Sequence, residues 1–190
     1  RWDIADLLAS ERYLQPQSPA NFLTRYEIIL ARAGWWPLLD FEDRSVLEIG
    51  SGPTLGFGPL AVFRGAREYV CVEPRFNPEA ISNAMVRERF FLPQYKDLCA
   101  LYGARLTFDK FMDRIANRII VESTDFLNAS LAGSFDIALS NSCLEHVVGL
   151  EETLKRLAQA LSHDARFLHL VDFGNHRRTR NPFEGIYDRD

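Results

Sequence analysis

The sequence predicts an α/β domain in which a mainly parallel sheet is covered by helices on both faces. Three observations predict it. Five short, near-continuous apolar runs read as strands: Ser45–Ile49, Tyr69–Val72, Ile119–Val121, Phe135–Leu139 and Arg166–Val171. Helical patterns stand between them, and a glycine-rich turn, Gly50-Ser51-Gly52, follows the first strand. A strand that is apolar on both sides must be buried on both sides, and parallel strands need crossovers to connect them. The expected architecture is a doubly wound, Rossmann-like sheet. A chain of 190 residues has room for one such domain with a substantial core.

The elements follow in order. Ser18-Pro19 opens a helix with a capping hydroxyl and a proline at its start, and Phe22, Tyr26, Ile29 and Leu30 recur along one face. Gly34-Trp35-Trp36-Pro37 stops it, and the two tryptophans are expected to pack this segment onto the core. Residues 1–44 are therefore read as an N-terminal helical extension, a natural lid, and residues 45–190 as the α/β domain. After the glycine turn, a short helix from about Pro59 to Arg64 stops at Gly65. The stretch of about 77–117 is longer than one crossover needs, so it reads as a helical insertion, with Phe90, Phe91, Tyr95, Leu98 and Leu101 on apolar faces. Leu150, Leu154, Leu157, Ala158 and Leu161 trace a later helix face, with Glu151–Lys155 and Glu152–Arg156 as pairs on the exposed side.

Bulk properties exclude several functions. The formal net charge is −4, so the chain has no general attraction for phosphate backbones or anionic lipid, and no nucleic-acid partner is expected. The one basic cluster, His176-Arg177-Arg178-Thr179-Arg180, reads as a solvated loop. Cys71, Cys99 and Cys143 have neither CxxC spacing nor an even count, which argues against a disulfide framework or a zinc site and for a reducing, cytoplasmic compartment. No apolar run approaches the roughly 18 residues that span a bilayer, so no membrane association is expected. No targeting signal opens the chain, and it begins with Arg1 rather than Met, as an excised piece of a longer polypeptide would.

Ligands on such sheets bind beyond the carboxyl ends of the strands, so the loops there carry the functional reading. The first strand ends Leu47-Glu48-Ile49-Gly50-Ser51-Gly52-Pro53-Thr54-Leu55-Gly56, where glycines let backbone approach a ligand closely. Glu48 would be unwelcome beside the pyrophosphate of a nicotinamide dinucleotide, and Leu55 stands where that fingerprint wants Gly or Ala. A cofactor with an ammonium group and a cationic sulfur would welcome the acid. Glu73-Pro74 ends the second strand, where a carboxylate can accept from both hydroxyls of a ribose. Asp125-Phe126 follows the third strand, an acid and a ring suited to an adenine. Asn141 and Ser142 put small polar groups after the fourth strand.

Together the stretches LEIGSGPTLG, VCVEP, STDF and FDIALSNSCLEHV, followed by LKRLAQALSHDARFLHLVDF, resemble the class I S-adenosylmethionine-dependent methyltransferases, especially their small-molecule group. The resemblance covers about residues 45–173 and leaves the insertion after Glu73 unmatched. It implies that Glu48, Gly50, Ser51 and Gly52 surround the methionine part of the cofactor, and that Glu73 with Pro74 holds the ribose. It further implies that Asp125 and Phe126 hold the adenine, while Asn141 and Ser142 line the channel to a small-molecule substrate. Two departures stand out. Thr54 occupies the place of a third glycine, and the chain stops at Asp190, before the helix and antiparallel hairpin with which relatives continue.

The implied reaction is transfer of the cofactor's methyl to a small-molecule or sugar-containing acceptor by direct in-line displacement. A base is needed only if the acceptor must lose a proton. His146 is the candidate, because an imidazole titrates near neutral pH; its structural alternative is a helix-start histidine bonded to backbone. His169 reads as structural, and Asp172 as a residue facing the substrate side. The alternative function is a catalytically inactive domain of this fold, a scaffold or sensor within a larger protein.

Overall fold

The computed structural model describes residues 1–11, 13–34 and 39–172. The Trp35-Trp36 pair and the His176–Arg180 cluster lie outside the described residues. Five parallel strands, β1 (Ser45–Ile49), β2 (Glu68–Val72), β3 (Ile119–Glu122), β4 (Phe135–Asn141) and β5 (Leu161–Leu170), stand in the order β3-β2-β1-β4-β5. The order reverses between β1 and β4, and that switch point opens a crevice at the strand tips. Every residue of β1 is buried, as expected of the central strand of a sheet covered on both sides.

The predicted strands are all present, with boundary shifts. β4 runs two residues beyond Leu139, so Ser140 and Asn141 lie within the strand. β5 begins at Leu161, which therefore belongs to the strand and not to the preceding helix face. Its regular pairing with β4 starts at Arg166, because residues 162–165 bulge between the Phe135–Leu161 and Ile137–Arg166 pairs.

One face of the sheet carries most of the helices: α1 (Ile4–Ala9), α2 (Ser18–Arg32), α3 (Gly58–Phe63), α4 (Glu79–Ser82), α5 (Ala84–Val86), α6 (Leu92–Tyr102) and α7 (Phe108–Arg118). The insertion is thus helical as predicted, with a π-turn over Arg87–Phe91 leading into α6. Phe90, Phe91 and Leu98 are buried there with Tyr69, Phe63 and Phe111. Leu101, predicted on the apolar face, is 55% exposed. The other face is covered by α8 (Leu150–Ala160) and a 3-10 turn over Phe126–Asn128, enclosing Leu47, Ile49, Val70 and Leu157.

Two helices bury a different face from the one their apolar spacing predicts. Helix α2 buries Ala20, Leu23 and Glu27, while Ile29 is exposed and Phe22 and Tyr26 are half-buried. Helix α8 buries Leu157 as predicted, but with Thr153 and Ala160 beside it, and exposes Leu150, Leu154 and Ala158. On α8, Lys155 pairs with Glu151 at 2.6 Å as predicted. Arg156 instead turns inward and donates to the Ala129 carbonyl. Among the described residues, no helix is long and apolar enough to cross a membrane.

The N-terminal extension is tied to the domain by specific contacts. The Trp2 N–H donates to the Arg75 carbonyl, Asn77 donates to the Trp2 carbonyl at 2.9 Å, and the Arg75 guanidinium stacks over the Trp2 ring. Deeper in, Arg64 donates to Glu27 of α2 at 3.0 Å and to the Leu39 carbonyl, and lies against the rings of Phe41 and Tyr102. Both partners are mostly buried, so removing the cation strands a carboxylate. Arg64→Ala should cost about 3 kcal/mol of unfolding free energy, a typical value for breaking a buried pair. Urea denaturation checks it, and a loss near zero would show that the pair does not hold α2 in place.

Candidate active site

The tip of β1 is built around a buried acid. Glu48 is 1% exposed, and its Oε2 accepts from the Tyr69 hydroxyl at 2.6 Å and from the Phe57 N–H at 3.2 Å. Strand pairing explains the contact. Glu48 sits opposite Cys71, and Tyr69, two residues earlier, points to the same face. The phenol supplies the donor that a buried carboxyl requires. The far side of the loop returns over the same acid, and a Cβ on Gly56 would overlap the Glu48 carboxyl oxygens. Gly56 also has a φ of 52°, so the glycine is needed on both counts.

Burial is the main influence on Glu48 and pushes its pKa up to about 8, against the pull of its two hydrogen bonds. Nearby Glu73 adds to the rise. The Tyr69 phenol is raised as well, by burial and then by Glu48, and burial lifts the Cys71 thiol to about 12. Taken out of water, and with no cationic partner among the described residues, Glu48 favours its neutral form at pH 7.

Glu73 ties the next tip to the loop. Its carboxylate accepts from the Gly52 N–H at 2.9 Å and from the Arg75 N–H at 3.1 Å, one on each oxygen. Each oxygen keeps a second lone pair for a ligand hydroxyl. Gly50, with φ 75°, packs so closely on Cys143 that a Cβ would overlap the sulfur. Cys143 is half-buried, and burial followed by Glu73 raises its thiol to about 11, so it behaves as a packing thiol and not a nucleophile.

Three hollows meet at these tips. The first, of about 210 Å³, is lined by Glu48, Gly50, Ser51, Gly52, Phe22 and Asn141, among others. The second, of about 450 Å³, lies on the α8 side and includes Gly50, Pro74, Asp125, Phe126, Cys143 and His146. Gly50 lines both. A third, open cleft of about 700 Å³ is bordered by Phe22, Tyr26, Asn141, Ser142 and Asp172. Asn141 and Phe22 line both the first hollow and this cleft.

The predicted residues are thus brought to one rim but not to one spot. Glu48 walls the first hollow, Asp125 is exposed at the second, and Glu73 braces the loop between them. Ser142 turns away at the tip with a φ of 48°, its N–H bonded to the Leu170 carbonyl, and borders only the open cleft. His146 sits in a 3-10 turn on the second hollow, beside Asp125 and Phe126 rather than beside Asn141. His169 lies 2.7 Å through Nδ1 from the buried Ser140 hydroxyl, in keeping with its structural reading, and burial lowers its pKa.

Sequence reasoning missed Tyr69 and the cleft-lining role of Phe22 and Tyr26. An acid in the middle of a fully buried strand was the available signal for Tyr69, since such a group must have a partner on the same face.

Residues 20–188 match the sequence profile described as a methyltransferase domain. The chain belongs to that family. The match spans most of the sequence, and membership implies S-adenosylmethionine as the cofactor. No curated protein sequence matches this chain. Among solved structures, a protein from Nostoc punctiforme assigned as an O-methyltransferase is 16% identical, with a TM-score of 0.50, and the match covers 93% of this chain and 43% of that one. An S-adenosylmethionine-dependent methyltransferase from Mesorhizobium loti is 18% identical, with a TM-score of 0.46 and coverages of 75% and 51%. Coclaurine N-methyltransferase bound to N-methylheliamine and SAH is 16% identical, with a TM-score of 0.44 and coverages of 77% and 35%. The chain spans about half or less of the length of these structures.

The residues present fit the implied cofactor. The glycine loop leaves open space beside Gly52, the first hollow has a carboxyl in its wall, and a ring and an acid stand at the second. Two measurements test the loop. Gly56→Ala should destabilise the domain by at least about 1–3 kcal/mol, from left-handed backbone and the collision with Glu48; an unchanged melting temperature would contradict the geometry. The raised pKa of Glu48 means that the folded state holds a proton the unfolded chain releases. Its contribution is complete below the ordinary value of 4.5 and is lost as pH rises toward about 8. The stability of wild type relative to Glu48→Gln should therefore fall across that window, in paired denaturation series; a constant difference would refute the assignment.

Proposed function

We propose that this methyltransferase domain transfers a methyl group from S-adenosylmethionine to a small-molecule or sugar-containing acceptor by direct in-line displacement. The observation that carries the reading is the shared wall. Asn141 and Phe22 border both the glycine-loop hollow and the open cleft toward α2 and β5, so a donor in one and an acceptor in the other would meet across them. In this reading Gly50, Ser51 and Gly52 carry the methionine end, and Glu73 with Pro74 holds the ribose through the lone pairs its backbone bonds leave unused. Asp125 and Phe126 hold the adenine on the α8 side.

The cofactor supplies an activated methyl group on a cationic sulfur. The chain's own residues then have two tasks: to hold the acceptor in line behind that carbon, and to keep water out. Phe22 and Tyr26 supply apolar surface to the cleft, while Asn141 and Ser142 supply hydrogen bonds at its inner edge. His146 borders the nucleotide side, so the reading gives it a contact with the cofactor before a role as base. The same proposal places the protein in a reducing cytoplasm, supported by three free cysteines, and gives it neither nucleic acid nor membrane as partner.

A second reading is a catalytically inactive scaffold or S-adenosylmethionine-sensing domain of a larger protein. Binding without turnover across a metabolite panel would select it.

Calorimetry with S-adenosylmethionine beside NAD tests the cofactor site. Saturable binding of the first and not the second is expected. Asp125→Ala and Glu73→Ala should each weaken it by about 1–3 kcal/mol, the usual loss when a charged hydrogen-bond partner is removed. Because Glu73 also braces the loop, the exposed Asp125 is the cleaner probe. Wild-type affinity in both variants would overturn the residue assignment.

A further inference from the structure

We propose that Glu48 is a neutral acid in the cofactor-free protein and releases its proton to solvent when the cationic end of the nucleotide enters the first hollow. The proposal rests on the reading of that hollow as the place of the methionine end. It makes Glu48 a selectivity residue, which gains its charge only in answer to a cation.

The geometry carries it. Among the described residues, the lining of the hollow contains no Lys, Arg or His, and Glu48 is its one carboxyl group. Both hydrogen bonds that Glu48 accepts fall on the same oxygen, Oε2. The titratable groups around it are Tyr69 and Cys71 on β2, Glu73 at the tip of β2, and Cys143 beneath Gly50. Tyr13 also borders the hollow. None of these groups can carry a positive charge, so among the described residues nothing cationic stabilises a carboxylate there. Burial therefore decides for the protonated form. A ligand carrying a sulfonium and an ammonium reverses the balance, because a paired buried charge is tolerated where a lone one is not. The carboxylic acid becomes a carboxylate, the proton passes to bulk buffer, and the hollow ends with opposite charges. A neutral nucleotide would gain nothing from this exchange.

The test is calorimetric titration of the full chain with S-adenosylmethionine in buffers of different ionisation enthalpy, which counts protons exchanged on binding. At pH 7 wild type should release close to one proton more than Glu48→Gln, with the difference vanishing by about pH 9. Relative to that variant, wild-type affinity should climb by up to about tenfold per pH unit below 8 and then level off. Tyr69→Phe removes a hydrogen bond that favours the carboxylate, so it should shift the window of proton release to higher pH. Carbon-13 NMR of labelled glutamate in the unaltered chain reads the same event directly, as one carboxyl resonance moving from acid to carboxylate on binding. Equal proton counts in wild type and Glu48→Gln would overturn the proposal, as would a Glu48 resonance already that of a carboxylate in the free protein at pH 7. If wild type failed to bind S-adenosylmethionine at all, the underlying cofactor reading would fall first. Binding with no proton release would sink this inference alone.

Discussion

The site depends on one buried contact, the carboxyl of Glu48 held between the Tyr69 hydroxyl and the backbone of Phe57. A polar group in the middle of a fully buried central strand costs several kilocalories unless it is satisfied (about 2–7 kcal/mol for a neutral group). Satisfying it brings the end of the glycine loop back onto the strand. That return forces the left-handed turn at Gly56 and sets the curvature of the loop from Gly50 onward. Glu73 pins the middle of the loop through Gly52, so two acids fix one loop from opposite sides. The loop is shaped before any ligand arrives, which is what positioning a reacting methyl group requires.

The loop also stores strain, and the core offsets it. Leu55 has a φ of 69°, a conformation that costs a residue with a Cβ roughly 1–2 kcal/mol. Its side chain is fully buried among the helices of the crowded face, a gain of about 1.5–3 kcal/mol. The two magnitudes explain why leucine stands at a turn where glycine would be easier. The side chain anchors the loop to the core while the glycines on either side leave its rim open.

The sheet was largely legible from residues because its signal is local: β1 to β4 are short runs apolar on both faces, and each was placed within two residues of its observed bounds. The glycine loop and the acids at the strand tips were legible for the same reason. Helix faces were not. In α2 the spacing of Phe22, Tyr26 and Ile29 suggested a core stripe, yet the helix buries Ala20, Leu23 and Glu27. Apolar periodicity cannot separate a side chain that meets the core from one that meets a cleft, and a buried Glu27 paired with Arg64 is invisible without the partner. The state of Glu48 was likewise out of reach, because charge at a buried position is set by neighbours that only the strand register brings together.

That misread helix is the most informative element for function. Helix α2 turns Ala20, Leu23 and Glu27 toward the domain, with Phe22 at the junction of two hollows and Tyr26 farther along the open cleft. Arg64 contributes to the arrangement: it pairs with Glu27 and stacks on Phe41 and Tyr102, attaching α2 beside the buried Leu23. With α2 so held, Phe22 and Tyr26 border the open cleft that the proposal gives to the acceptor. In the proposed reading, selectivity would follow from that division of labour, with the strand tips meeting the cofactor and the N-terminal extension meeting the acceptor.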